Sequence, residues 1–287
     1  MPLQQLVSYF NDRFEKVHHS NLHPFRVNED LVTGIFGPIS ISSAYLAIRT
    51  RLDHTVVTGH IAQLLAAPVA NEVMTAQAME LGALVTDTVT EPVNFQAIIN
   101  IDRLCRTVHM LNYLPLSHLG GVLFLDVDPR HILSVKQDHG VYFEEIIIKC
   151  GLTTKNIAIS LTIDNFYALN HEQLLAGLSN YRQRGYQIAL NIGHFYNAKG
   201  LVEFVTALSP DYIRVSAPRY EENSADYEVF ESISLKSLES LFALATGQAI
   251  LQSVDKQEQA LIADTLSCDL VQGIYYDKLA TDYLRCL

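Results

Sequence analysis

The sequence predicts an α/β chain closed as a modified TIM-type (βα)8 barrel, and three observations carry the prediction. Six apolar, β-branched runs recur through the second half: GVLFLDV (121–127), NIAISLTI (156–163), YQIALNI (186–192), DYIRVS (211–216), QAILQSV (248–254) and LVQGIYY (270–276). Amphipathic stretches with helical spacing separate most of them. The runs are nearly continuous in apolar residues rather than alternating, as strands of a parallel sheet covered on both faces must be. A length of 287 residues suits one barrel domain.

The elements follow in order. Residues 1–30 are a polar lead with one amphipathic turn, LVSYFNDRFEKV, read as a helical N-terminal extension ahead of a barrel domain over 31–287. YLAIRTRL (45–52) reads as strand. HIAQLLAAPVANEVMTAQAMELGALV (60–85) reads as helix interrupted at Pro68, and VNFQAIINIDRLCRTVHMLNYL (93–114) as an amphipathic helix between Pro92 and Pro115. HEQLLAGLSNYRQRG (171–185) places Leu174, Leu175, Leu178 and Tyr181 on one face and stops at Gly185. DKQEQALIADTLSC (255–268) starts at Asp255 with Glu258 three residues on, the spacing of a capping box.

Composition excludes several classes. The net charge of −11 argues against a nucleic-acid or anionic-membrane surface, which draws on clustered Lys and Arg. No charge-free apolar window is long enough for a membrane span, and the first residues lack the pattern of a signal peptide, so a cytoplasmic protein is expected. The four cysteines, Cys105, Cys150, Cys268 and Cys286, have no CxxC spacing and read as buried free thiols. DVDP (126–129) has the look of an acidic loop but lacks further ligands at calcium-loop spacing. His18, His19 and His194 have no ligand partner at metal spacing and read as surface or loop residues.

In a parallel barrel, function sits at the C-terminal strand ends. Those ends read YLAIRTR, LFLDVDPRHI, ISLTI, IALNI, DYIRVS, AILQSVDKQEQ and CDLVQGIYY. In order and spacing, from about residue 36 to 287, they resemble the EAL-domain family of cyclic di-GMP phosphodiesterases and their inactive relatives. The family's segments run EALLRWR, SVNLSPRQL, LEITES, IALDDFGTG, DYLKID, AEGVET and QGYLFGKP. The resemblance implies a barrel of the EAL kind. In active members it implies two divalent metals held by carboxylate and amide oxygens, which activate water and neutralise charge on the phosphate.

Carried onto this chain, the resemblance implies a degenerate site. Tyr45 stands at the EAL glutamate, Asp126 at the SVNLS asparagine, and Ser160 and Ile163 at the two LEITE glutamates. Asn191 and Ile192 stand at the aspartate pair, with Gly193 and His194 as the other pairing. Arg214 stands at the catalytic lysine, Gln252 at the AEGVE glutamate and Asp255 at that motif's last acidic position. Gln272 matches the glutamine of QG, and Arg49 the arginine of EALLR, which contacts phosphate in the family. Tyr, Ser and Asn dipoles do not offset the dehydration of two hard dications, and a guanidinium cannot serve as a titrating lysine. The expectation is therefore no catalysis and no Mg or Mn cofactor. The vestigial pocket would consist of Tyr45, Arg49, Asp126, Ser160, Asn191, Arg214, Gln252, Asp255 and Gln272, with Arg214 or Arg49 reaching Asp126 or Asp255.

Two functions follow as expectations. One is a regulatory scaffold that binds a protein partner, with room for a homodimer. The other is a receptor that binds cyclic di-GMP without hydrolysing it. For Gln272 the residues leave two roles open, contact with a ligand or a hydrogen bond to a neighbouring strand end.

Overall fold

Apolar runs that recur every few tens of residues must pair with one another to satisfy their backbones, and here they do. The computed structural model describes residues 2–18, 23–69, 95–134, 140–163, 167–193, 200–218, 238–243, 247–266 and 268–286. The chain forms two compact units. The first comprises Met1–Tyr45, Ala62–Gly120 and Ser134–Thr154, and the second Leu46–Ile61, Gly121–Leu133 and Lys155–Leu287.

In the first unit, helix α1 (Leu3–His18) buries Leu6, Val7, Phe10 and Phe14. It is fastened to strand β1 (Phe25–Asn28) by Asn11, whose side chain bonds both the N–H and the carbonyl of Phe25 at 2.9 Å each. Strands β2 (Leu31–Phe36) and β3 (Ile39–Thr50) continue an antiparallel meander, and β3 passes into the second unit at Leu46. Helix α2 (Phe95–Tyr113) repeats the asparagine device: Asn112 takes the Val32 N–H at 2.7 Å and donates to its carbonyl at 2.8 Å. Strand and helix approach so closely that a Cβ on Gly34 would lie 2.7 Å from Leu104 and 2.9 Å from Val108.

The second unit is the barrel. Strands β4 (Val57–Pro68), β5 (Val122–Val127), β6 (Ile157–Thr162), β7 (Gln187–Gly193), β8 (Tyr212–Ser216), β9 (Gln248–Gln252) and β10 (Leu270–Val271) pair successively in parallel. β3 pairs with β10 antiparallel and with β4, which closes the ring at eight strands. The reversed strand has a local cause: only residues 51–56 join β3 to β4, too few for a parallel crossover. One residue from each strand fills a common interior layer: Ile48, Ile61, Phe124, Ala158, Ala189, Tyr212, Ile250 and Leu270. The rings of Phe124 and Tyr212 meet edge to face at 4.8 Å, and the two alanines between them in strand order supply the room. The prediction of an α/β barrel with these late strands parallel holds.

Three expectations are corrected. Residues 60–68, read as helix, are strand: His60, Ile61 and Ala62 are buried in succession because both faces of β4 are covered, and pairing with β5 overrides the helical propensity of Ala, Gln and Leu. Residues 70–85 of that reading lie outside the described residues, as do His19 and His194. The run at 270–276 is strand only at Leu270–Val271; a helix begins at Ile274 (α8, Ile274–Cys286). Its first N–H is taken at 3.1 Å by the Asp255 carboxylate, a partner nineteen residues upstream. Asp255 accordingly does not cap α7 (Gln257–Thr265); Gln259 Oε1 accepts the N–H groups of Asp255 and Lys256 instead.

Gly273 answers to backbone geometry. A Cβ there would lie 2.0 Å from the Val254 carbonyl oxygen. The thiols of Cys150 and Cys268 are buried and free, and burial pushes both up to about 12. Among the described residues, no helix is long and apolar enough to cross a membrane.

Candidate functional site

A strand presents alternate residues to the same face, so the position two beyond each interior core residue also faces inward, one layer nearer the C-terminal mouth. From Phe124, Ala158, Ala189, Tyr212, Ile250 and Leu270 this step reaches Asp126, Ser160, Asn191, Arg214, Gln252 and Gln272. Six of the nine candidate residues therefore form one layer of the barrel interior.

Arg214 lies at the centre of this layer and is 4% exposed. Its Nη1 donates to Asp126 Oδ1 at 2.9 Å and to Ser160 Oγ at 2.7 Å, and its Nε donates to Gln252 Oε1 at 3.1 Å. That last bond fixes the Gln252 amide, whose Nε2 then donates to Asn191 Oδ1 at 2.8 Å and Ser216 Oγ at 3.2 Å. Asn191 in turn donates from Nδ2 to Thr162 Oγ1 at 3.2 Å and accepts the Gly193 N–H at 3.3 Å. A β-bulge at Ile192, between the Asn191–Arg214 and Gly193–Val215 pairs, makes that last bond local to the strand end. The polarity of each amide in this hydrogen-bonded chain follows from the one guanidinium, and among the described residues the network carries one positive and one negative formal charge. Burying a charge is tolerable when it is paired and hydrogen-bonded, and Arg214 meets both conditions.

Of the expected ion pairs, Arg214 with Asp126 is present, and it needed no more than an arginine two residues beyond an inward Tyr212. The other candidates are engaged elsewhere. Gln272 Oε1 accepts the N–H of Ser253 at 3.2 Å, so its amide supports the turn after β9, where Ser253 has φ +60°. The strand-end hydrogen bond that the sequence left open is therefore present. Asp255 starts α8, as described. Arg49 neighbours the inward Ile48 and so lies on the outer face, where it pairs with Asp277 at 3.1 Å and donates to the His54 carbonyl at 2.9 Å; it does not reach Asp126 or Asp255. Tyr45, in the first unit, donates its hydroxyl to the His109 carbonyl, and burial pushes its phenol above the usual tyrosine range. It stands on the reversed strand β3, not at the C-terminal end of a parallel strand.

Sequence reading passed over Thr162 and Ser216. The signal was available: each lies two residues beyond a candidate on the same strand face. It also passed over Asp277, which strand periodicity does not reveal because it lies on α8. Among the described residues, no group of three or more His, Cys, Asp or Glu side chains converges as a cation site.

No family model and no curated protein matches the chain. Solved structures match it in fold. The EAL domain of FimX from Xanthomonas citri, in complex with c-diGMP, is 12% identical at a TM-score of 0.58, over 95% of this chain and 92% of that one. The YkuI protein of Bacillus subtilis, which has an EAL domain and was solved with substrate c-di-GMP and calcium, is 20% identical at 0.57, over 82% of this chain and 53% of that one. The EAL enzyme Bd1971, in a cAMP- and cyclic-di-GMP-bound form, is 14% identical at 0.55, over 94% of this chain. This chain spans 65% of the Bd1971 chain. The fold is thus that of EAL domains.

Proposed function

We propose that this chain is a catalytically inactive EAL-like domain of cyclic di-GMP signalling that acts as a regulatory scaffold for a protein partner. The observation that carries the reading is the position of Arg214. Its guanidinium occupies the centre of the barrel mouth, with Asp126, Ser160 and Gln252 closed around it. YkuI was solved with calcium, and the donor set here does not fit a pair of such ions. Among the described residues, Asp126 is the one carboxylate in the mouth network, its Oδ1 is already bonded by an arginine, and the remaining donors are Ser, Thr, Asn and Gln. Hard cations need several charged oxygens to offset dehydration.

A second reading, a receptor that binds cyclic di-GMP without hydrolysis, draws support from the nucleotide-bound structures that share the fold and from the Arg214 fork, which suits phosphate geometry. The two readings part at Asp126. Purified protein with cyclic di-GMP and Mg²⁺ or Mn²⁺ is expected to give no linear dinucleotide; metal-dependent turnover that Asp126→Ala abolishes would overturn both. On the scaffold reading, Asp126→Ala lowers the unfolding midpoint and the nucleotide shifts it no further. On the receptor reading, removing the carboxylate relieves repulsion of the phosphates, and added cyclic di-GMP raises the midpoint of the variant.

A further inference from the structure

The opposite end of the barrel unit holds a second feature. Residues 51–56 join β3 to the start of β4, so this hairpin lies at the N-terminal ends of the parallel strands, away from the mouth. Between it and α8 is a cleft of about 460 Å³ lined by Leu52, Asp53, His54, Thr55, Leu279 and Ala280. One wall is apolar and the other polar. Leu52 is 86% exposed at the hairpin tip, and Leu279 is 38% exposed on the helix. An apolar pair left open beside a cavity has a surface to gain by being covered.

The polar wall is incomplete in two places. His54 Nδ1 is shielded from solvent and has no hydrogen-bond partner, while its ring is held against Tyr276 at 4.5 Å between centroids. Asp53 Oδ1 accepts the Thr55 N–H at 3.0 Å and its hydroxyl at 2.6 Å. No cation among the described residues pairs with the Asp53 carboxylate. The neighbouring cations are committed: Arg49 to Asp277 and Arg51 to Asp264. The hairpin is also rigid before any ligand arrives, since Thr50 Oγ1 donates to the Asp53 carbonyl at 2.6 Å and the Val56 N–H to the same oxygen at 3.1 Å.

We propose that this cleft is the docking site for an extended segment of a partner protein. The segment inserts one apolar side chain against Leu52, Leu279 and Ala280 and sets a lysine or arginine beside it against Asp53. Charge selects the occupant: the chain carries −11 overall, and the unpaired charge on the hairpin wall is a carboxylate. The proposal rests on the scaffold reading only in taking the ligand to be a protein.

The test uses the full chain, ¹⁵N-labelled, titrated with three capped synthetic peptides: Gly-Lys-Leu-Thr-Gly and its counterparts with Lys replaced by Glu or Leu by Ala. Amide shifts are expected to cluster in residues 51–56 and 274–280, with each replacement weakening binding at least fivefold. Leu52→Asp or, as a second variant, Leu279→Lys should weaken the lysine peptide to the same degree, and Asp53→Asn should bring the Lys and Glu peptides within twofold of each other. All three positions are exposed, and unchanged melting temperatures verify that the variants fold. Absence of the clustered shifts, shifts that Leu52→Asp leaves intact, or concentration-dependent shifts at the cleft without peptide, which would assign it to a second copy of the chain, each overturn the proposal. Failure here together with absent hydrolysis leaves the scaffold reading standing, whereas hydrolysis removes that reading whatever the cleft binds.

Discussion

Two layers of the barrel interior lie two residues apart on the same strands and hold opposite chemistry. The lower layer, from Ile48 to Leu270, is apolar and supplies one side chain per strand. The upper layer, from Asp126 to Gln272, is polar and held together by directed hydrogen bonds. The difference teaches what each layer can tolerate. Dispersion and exclusion of water are non-directional, so the lower layer asks chiefly for volume. The upper layer asks for matched donors and acceptors, because each buried polar group left unpaired carries its full desolvation cost.

The comparison can be broken most forcefully in the lower layer. Phe124→Ala empties the middle of the barrel and removes the ring against Tyr212; a loss of about 3–5 kcal/mol is expected in urea denaturation. A loss under about 1 kcal/mol would mean that the layer collapses freely and that its packing does not specify the barrel. In the upper layer, Arg214→Met has nearly the same volume but orphans the Ser160 hydroxyl and the Gln252 carbonyl, with an expected cost of about 1–3 kcal/mol. The double variant Arg214→Met with Asp126→Leu should recover part of it, because replacing both members of an ion pair by apolar groups is far milder than removing one. If Arg214→Met alone is neutral, the two layers obey the same rule.

Asp126→Ala sharpens the contrast. The Asp126 side chain is 47% exposed and Arg214 only 4%, so water replaces the carboxylate more readily than the guanidinium. Its loss should cost about 1 kcal/mol, less than that of Arg214. Equal costs would mean that solvent does not reach the pair.

The smallest effect concerns titration outside both layers. Burial, and secondarily Arg49, holds the His60 imidazole below its ordinary 6.5. The unfolded chain then takes up that proton first, so the His60 contribution is present above about pH 6.5 and is lost as pH falls below it. His60→Gln should flatten this acid limb of the stability profile. The thiols of Cys150 and Cys268 act with the opposite sense: their folded values, about 12, lie above the ordinary 9.0, so their contribution is full below pH 9 and declines between the two values. Both limbs are read from urea midpoints across pH.

The sequence by itself determined the strands at 122–127, 157–162, 187–193, 212–216 and 248–252, because a strand buried on both faces writes itself as an unbroken apolar run. The residues of the polar layer were named only through the resemblance of the strand ends to EAL-domain motifs, and the structure supplies the physical reason that they share a layer: period two carries each inward core residue to the next inward position. The same burial misled at His60–Ala62, where an apolar run rich in helix formers fitted helix and strand equally well. Only the tertiary structure decided that His60 and Ile61 pair with Leu123 and Phe124, that β3 runs antiparallel to β10, and that Asp255 starts a helix nineteen residues on. Each of those outcomes depends on a partner far along the chain. Local periodicity sets which face a side chain takes, while the identity of what it meets there is fixed only when the ring of strands closes.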